Sequence, residues 1–357
     1  MRKKVFEGSV EYVQVMDENG NIDYSEFPKE IKDEDILSMY KYMLFARQVD
    51  AKALSLQRQG RAMTYAPLVG EEATQVGSAY AMGAEDFFVP SFRQHAVFIM
   101  KGVPLHLIFL YWRGYEEANK FPENVQGLPI IVPVGSQMPH AVGVAFAQKY
   151  LKTNKAVVAY VGDGGTSEGD FSEALNFAGV LKVPLVTIIE NNQWAISVPR
   201  SKQSAAVTLA QKAFAAGLEC VQVDGNDVVG VYKVTKEAIE KAKKGSPQVI
   251  ECITYRLSMH TTADDPTKYR SEDEVKYWEQ RDPLIRVKKY LTSKGIWNEN
   301  IEEEQKENNA KIIDEAVEKA ESFKGDPKSM FTNLYSFLPA SLKEEMDEAE
   351  KNNYWAV

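Results

Sequence analysis

Two short segments of this chain carry the residue types needed to hold a phosphorylated ligand through a metal ion. One is Gly162-Asp163-Gly164-Gly165; the other is Asn191-Asn192, with Trp194 just beyond. An Asp carboxylate and an Asn side-chain carbonyl are hard oxygen donors suited to Mg2+, which takes few protein ligands and completes its octahedron with water and phosphate oxygens. The main-chain carbonyl of Trp194 is a candidate third ligand. Gly162, Gly164 and Gly165 remove side-chain bulk, so the backbone can approach a phosphate at the start of the following helix. Together, Asp163, Asn192 and Trp194 imply a diphosphate held through magnesium. Gly-Asp-Gly on its own is an ordinary turn sequence. Its weight comes from where the two segments must lie.

Residues 156–161 and 185–189 are apolar runs too short for helices and rich in β-branched residues, so both are expected to be strands. Between them Phe171, Ala174, Leu175, Ala178 and Leu181 recur at helical spacing. Ser167 with Asp170 predicts a capping box at the start of that helix, and Pro184 bars it from running into the second strand. A βαβ unit places two parallel strands with their carboxyl ends side by side. Ligands of open parallel sheets bind in the crevice beyond those ends. The spacing therefore predicts that Asp163 and Asn192 meet there.

Further strands are expected at 218–223 and 248–255, with helices at 208–217 and from about 228 to 244. Strands alternating with helices indicate an α/β fold with a doubly wound, mostly parallel sheet flanked by helices. Residues 1–32, around Asn19-Gly20-Asn21, read as a hairpin-like arm that lies on a neighbour. Helices are expected at 33–59 and 71–82, and a helical stretch runs to Trp112. Around Pro129 a short strand should lead through a loop into a helix beginning near Pro139. Residues 255–271, rich in turn formers, read as a loop. From Glu272 to the end the chain reads as charged and helical, with a packing stripe of Ile301, Ile312, Ile313, Ala316 and Ala320 directed at another subunit. The expected divisions are an arm at 1–32, a diphosphate-binding domain at 33–285 and a C-terminal helical extension at 286–357.

The chain has 357 residues and a formal net charge of −9, without a basic cluster, which argues against nucleic acid. No apolar run approaches the ~20 residues of a membrane span. The amino terminus has a basic tip but no apolar core of a signal peptide, so a cytoplasmic location is expected. Cys220 and Cys252 both fall in strand-like runs and read as buried thiols rather than a disulfide or metal pair.

GDGGTSEGDFSEALNFA from Gly162 and ENNQWAIS from Glu190 resemble the α subunit of 2-oxo acid dehydrogenases, in the pyruvate and branched-chain families. Gly162-Asp163-Gly164 with Asn192 resembles the thiamine-diphosphate motif of thiamine-dependent enzymes. The resemblance runs from about residue 33 to the C-terminal helices and implies a thiamine-diphosphate-binding fold. It implies that Phe92-Arg93 pack the aminopyrimidine and bind the diphosphate; an Arg fork can donate two bonds to phosphate at once. Phe92 stands where the family usually has Tyr, so that hydroxyl is absent. Val134 falls at the position of the apolar wedge that bends the cofactor, and Ser136 and Gln137 match a potassium site of some members. In YRLSMHTTADDPTKYRS, His260 matches an active-site and cofactor-binding histidine, able to hydrogen-bond phosphate and to donate or accept a proton near neutrality, and Thr261 the family's phosphorylation position. Glu71 and Glu72, after the loop that resembles the family's thiazolium-side loop, read as complements of the helix dipole. His95, His106 and His140 read as structural.

As a whole the resemblance implies thiamine diphosphate, Mg2+, a β subunit in an α2β2 heterotetramer, and a lipoyl domain of an acyltransferase core. The implied reaction is decarboxylation of pyruvate or a branched-chain 2-oxo acid with reductive acylation of the lipoyl group; acetoin dehydrogenase is a further close relative. The family's cofactor-activating glutamate belongs to the β subunit and has no match here, so this chain alone is expected to lack decarboxylase activity. Two other readings stay open. One is an NAD-binding Rossmann dehydrogenase with Glu190 on the ribose; the other is a scaffold that keeps the fold and binds nothing.

Overall fold

The computed structural model describes residues 1–354. At its centre is a six-stranded sheet in which every neighbouring pair is parallel. In chain order the strands are β1 (Tyr12–Val13), β2 (Phe87–Val89), β3 (Val157–Gly162), β4 (Leu185–Asn191), β5 (Glu219–Asp224) and β6 (Gln248–Ile253). In space they run β1-β5-β6-β4-β3-β2. The longer helices are α1 (Asp33–Arg58), α2 (Glu72–Ala81), α3 (Gln137–Tyr150), α4 (Gly169–Leu181), α5 (Val228–Lys243), α6 (Pro283–Ser293), α7 (Glu299–Ser322) and α8 (Ala340–Lys351).

The centre of the sheet is buried on both faces because β3 and most of β4 are apolar at successive positions, not at alternate ones. Val158 and Tyr160 of β3 join Val186, Ile188 and Ile250 against Val231, Val234 and Ala238 of α5. The intervening Val157, Ala159 and Val161 join Leu185, Ile189 and Val249 against Met138, Ala141 and Ala145 of α3 and Phe171, Ala174 and Ala178 of α4. This period-two division of side chains between two helical layers is the doubly wound arrangement expected. Val157 pairs with Leu185 and Gly162 with Glu190, so β3 and β4 end level with each other.

Several local expectations are corrected. Ser167 does not cap α4: it ends a 3-10 turn, Gly164–Ser167, and Glu168 is the N-cap, without a side-chain cap bond. The turn forms because the Thr166 N–H and hydroxyl both bond the Asp163 carbonyl, at 3.2 and 2.8 Å. No strand forms around Pro129. Pro129 and Pro133 lack the N–H groups a ladder needs, and the segment makes only isolated bonds, such as Ile131 N–H to Ser91 O at 3.1 Å. Residues Ala210–Ala216 form a 3-10 rather than an α-helix. His140 is exposed on α3, its Nδ1 2.6 Å from the Ser136 carbonyl oxygen. Cys252 is buried and Cys220 half-buried.

The arm packs on its own chain from Tyr12 onward. The Val15 and Met16 N–H groups donate to Asp227 at 2.6 and 2.8 Å, and both side chains enter the core beside α1 and α6. Met16 and Ile22 bridge across the predicted turn. The stripe on α7 likewise turns inward: Ile313, Val317 and Ala320 pack against α1 and the helix Leu105–Trp112, whereas Ile301 and Ile312 stay exposed. α6 begins at Pro283 and lies in the same cluster as α1.

Candidate active site

A cavity of about 620 Å3 opens beyond the carboxyl ends of β2, β3 and β4. It is lined by Phe92, Arg93, Val134, Gly162, Asp163, Gly164, Gly165, Asn192, Trp194 and His260, so residues chosen from widely separated segments meet in one place. The backbone N–H groups of Asp163 and Asn192 both donate to the Glu190 carbonyl, at 3.3 and 3.0 Å, which holds the two strand ends together. Asp163 is buried, and its carboxylate accepts one side-chain bond, from Gln203 Nε2 at 2.9 Å. The Asn192 amide is oriented by its own contacts. Nδ2 donates to Glu71 at 2.9 Å, and Oδ1 accepts the Trp194 N–H at 3.3 Å. The Trp194 carbonyl already accepts from Arg256 Nη1 at 3.0 Å, so a metal there would share that oxygen with a guanidinium. A second cleft, of about 700 Å3, is lined by six lysines and lies away from all of these residues.

Arg93 is a buried hub. Nη1 donates to the Pro67 carbonyl at 2.5 Å, Nη2 approaches His260 Nδ1 at 3.2 Å and the His260 carbonyl at 3.0 Å, and Nε lies 3.7 Å from Glu71. Arg256 Nη1 also reaches His260 Nδ1, at 3.2 Å. With two guanidinium donors converging on it, Nδ1 must accept, which places the ring proton on Nε2. Burial, with the Arg93 and Arg256 charges behind it, pushes the imidazole down to about 3. His260 is therefore a neutral N–H donor at physiological pH, not the group titrating near neutrality that its residue type suggests. Phe92 packs edge-on against it at 5.9 Å, and its loop is tied by the His260 N–H to Asp264 at 2.8 Å.

A model of the family described as Dehydrogenase E1 component matches residues 40–328. The chain is 44% identical over 340 residues to the pyruvate dehydrogenase E1 component subunit alpha of Staphylococcus aureus strain Mu50, covering 94% of this chain and 92% of that one. It is 43% identical, with the same coverage, to the protein of that name from Staphylococcus epidermidis strain RP62A. The chain belongs to the dehydrogenase E1 component family. It is of the α-subunit type of the thiamine-diphosphate-dependent 2-oxo acid dehydrogenases. The Rossmann alternative fails on the same ground; Glu190 is buried, and its Oε2 accepts a hydrogen bond from Gln94 Nε2.

The residues of this E1 chain fit a magnesium diphosphate. Asp163 and Asn192 offer oxygens of the hard type. A Cβ at Gly162 would meet nothing within 4 Å, so the strand end borders open space, whereas one at Gly165 would lie 2.6 Å from Val161 Cγ2. Gln137 Oε1 and Glu190 Oε1 are buried without a hydrogen-bond partner beside the same cavity. Such oxygens are costly to leave bare and suit a cation or a donor on a bound group.

Glu71 was not legible as a site residue, and Glu190 was singled out only for the NAD reading. Glu71 does more than complement the helix dipole, since it orients Asn192 and faces Arg93. Glu72 accepts from Arg47 Nε at 2.7 Å and from the Gly70 N–H at 2.8 Å. Burial raises the Glu71 and Glu190 carboxyls, the Glu71 charge adding to the rise at Glu190. Arg256 and Gln203 were also missed; each is an ordinary polar residue in sequence, and only the fold brings it to the Trp194 carbonyl and to Asp163.

Two expectations follow from these contacts. Burial pushes Asp163 from 3.8 up to about 6. A carboxyl with a raised folded value binds extra protons in the folded state, so its burial costs nothing below pH 3.8 and its full amount above about 6. Asp163→Asn should therefore gain on the wild type, ligand-free, as pH rises through that interval, by roughly 5 °C in melting temperature. A pH-independent difference would contradict this. Gly70 has φ +101°, and a Cβ there would lie 2.0 Å from the Tyr255 carbonyl oxygen. Gly70→Ala should cost about 3 kcal/mol or more in chemical denaturation. Gly60→Ala, at φ +71° with nothing within 4 Å, should cost only about 1 kcal/mol.

Proposed function

We propose that this chain works with a β subunit to decarboxylate a 2-oxo acid, pyruvate in the first instance, and to pass the acyl group to a lipoyl carrier. What carries this reading is the convergence of Asp163, Asn192, Arg93 and His260 on one cavity at the strand ends. In this assignment Asp163, Asn192 and the Trp194 carbonyl hold Mg2+, Arg93 neutralises the diphosphate, and Gly162, Gly164 and Gly165 let it approach the backbone. Phe92 packs the aminopyrimidine, and Val134 supports the bent cofactor. Bound thiamine diphosphate supplies a nucleophilic carbon and an electron sink for loss of CO2. His260 donates from Nε2 to the developing oxygen charge on the substrate side. The bare Gln137 Oε1, next to Ser136, supports a K+ site at that loop. The pyruvate assignment rests on the names of the relatives.

The partner assignment has a physical support. Phe146, Tyr150 and Leu151 on or just after α3, and Phe177 and Val180 on α4, are exposed large apolar side chains on the outer helical layer. Apolar surface of that kind marks protein–protein contact. Among the described residues no helix is long and apolar enough to cross a membrane. The decisive assay is the reconstituted αβ pair with thiamine diphosphate and Mg2+, given pyruvate, 2-oxoisovalerate or acetoin in separate reactions. Turnover of pyruvate by the pair and none by this chain alone is the expected result. Full turnover by the single chain, or calorimetric binding of NAD in place of thiamine diphosphate, would overturn it.

A further inference from the structure

We infer that Asp50, a buried residue of α1 outside every motif of the chain, is a positioning residue that sets the Arg93–His260 clamp through the segment 65–69. The inference rests on the functional reading above only for the identity of the ligand; the contacts themselves are geometric. Asp50 is fully buried, and its hydrogen-bond donors all lie on that one segment. Oδ1 accepts from the Tyr65 hydroxyl, and Oδ2 accepts the Leu68 and Val69 N–H groups at 2.5 and 3.1 Å. Burial pushes the Asp50 carboxyl up to about 7, against the Tyr65 and Leu68 bonds and the Arg93 charge, so it is an expensive way to join a helix to a loop where an apolar contact would serve.

What the clasp secures is visible on the other side of the segment. The Pro67 carbonyl accepts from Arg93 at 2.5 Å. The Val69 carbonyl accepts the Leu257 N–H at 3.0 Å. Tyr65 exchanges two bonds with Thr262: its N–H donates to Thr262 Oγ1 at 3.1 Å, and its carbonyl accepts the Thr262 N–H at 3.0 Å. The segment thus grips Arg93 and both flanks of the loop that carries His260. Without Asp50, the inner N–H groups of the segment are buried without acceptors, and the segment must shift to satisfy them. Arg93 and the His260 loop move with it, and so does Glu71, whose N–H donates to the Leu68 carbonyl at 2.8 Å; Asp163, at the end of β3 and bonded to Gln203, lies on the other wall of the cavity. Asp50 therefore acts first on the anion-binding side of the cavity and leaves the Asp163 carboxylate in place.

The test uses the full chain with its β subunit and three variants: Asp50→Asn, Tyr65→Phe and, as a stability control, Glu302→Gln. Glu302 is a buried carboxylate bonded to Tyr40 and Trp297 in a separate cluster. Two quantities are read: the dissociation constant of thiamine diphosphate at saturating Mg2+, and the rate of tryptic cleavage at Lys268 and Arg270 in the ligand-free protein. Asp50→Asn, which puts an N–H donor in place of one of the two acceptor oxygens, should weaken cofactor binding and speed cleavage by about tenfold each, the scale of one or two buried hydrogen bonds. Its Mg2+ requirement should stay unchanged. Tyr65→Phe should shift both in the same direction by about threefold, the scale of a neutral bond. Glu302→Gln should lower the melting temperature and move neither. Wild-type values for both quantities in Asp50→Asn, or in Tyr65→Phe should Asp50→Asn fail to fold, overturn the inference. So does an equal shift in Glu302→Gln. If the wild type binds no thiamine diphosphate, the functional reading fails, and the cleavage rates decide the clamp on their own.

Discussion

Asp163→Ala should abolish magnesium-dependent binding of thiamine diphosphate, with activity of the reconstituted enzyme falling at least ~1,000-fold, since the proposed metal site loses a charged oxygen donor in a low-dielectric setting. Asp163 is buried at the end of β3, and its only side-chain hydrogen bond comes from Gln203. Folded without a cation, the chain therefore holds this carboxyl at a loss, as its rise to about 6 records. A divalent ion reverses that balance, so the residue's contribution should appear as ligand affinity and not as fold stability. Asp163→Asn keeps the shape and loses the charge. It should fold at least as well as the wild type near pH 7 and still fail to bind cofactor, as titration calorimetry with and without Mg2+ would show. Asn192→Ala should give the same result more weakly, about 100-fold, because a neutral carbonyl contributes less than a carboxylate. Retention of Mg2+-dependent binding by Asp163→Ala would remove the basis of the functional assignment.

Arg93→Ala should raise the dissociation constant of thiamine diphosphate about 100-fold, and Arg93→Lys should recover little of it. The guanidinium touches three partners in different directions: the Pro67 carbonyl, His260 and Glu71. An ammonium on a flexible stem can serve one or two of these but not the set. The positive charge also opposes the rise of the Glu71 and Glu190 carboxyls. Its removal therefore favours their protonated forms and weakens the hold of Glu71 on Asn192. His260 loses one of its two guanidinium neighbours, so its depressed imidazole should move back toward neutrality. That shift can be followed by NMR titration of the ring protons. His260→Asn is the contrasting case: turnover should drop more than cofactor affinity, because Arg93 keeps its bonds to the Pro67 carbonyl and to the carbonyl of residue 260. Near-wild-type cofactor affinity in Arg93→Lys would show that a point charge suffices there.

Which of these features could be read in advance divides along a physical line. The βαβ unit was legible because apolar runs, a 3.6-residue repeat and Pro184 are all local signals. Parallel strands joined by a helix then have only one way to align their ends. Asp163 and Asn192 were thereby assigned to the same crevice without coordinates, and Gly162 and Glu190 do end level in the sheet. Arg93, Val134 and His260 lie on loops with no periodic signal, and it was the family resemblance that singled them out. Where local rules compete, they misled. Ser167 and Asp170 have the spacing of a cap, but the 3-10 turn on the Asp163 carbonyl displaced it. The arm and the α7 stripe were apolar enough to need a partner, yet nothing in their sequence said that the partner was this same chain.

By itself, then, the sequence determined the parallel α/β architecture, the placing of Asp163 and Asn192 at adjacent strand ends, and the family. Each of these follows from residue order over a few tens of positions, or from motifs in register. Only the tertiary structure decided what state those residues are in. It made His260 a neutral donor, oriented Asn192 through Glu71, and enlisted Asp50 from α1 to hold the loop beside Arg93. Protonation and orientation depend on burial and on contacts between segments far apart in the chain, and neither spacing nor composition records those contacts.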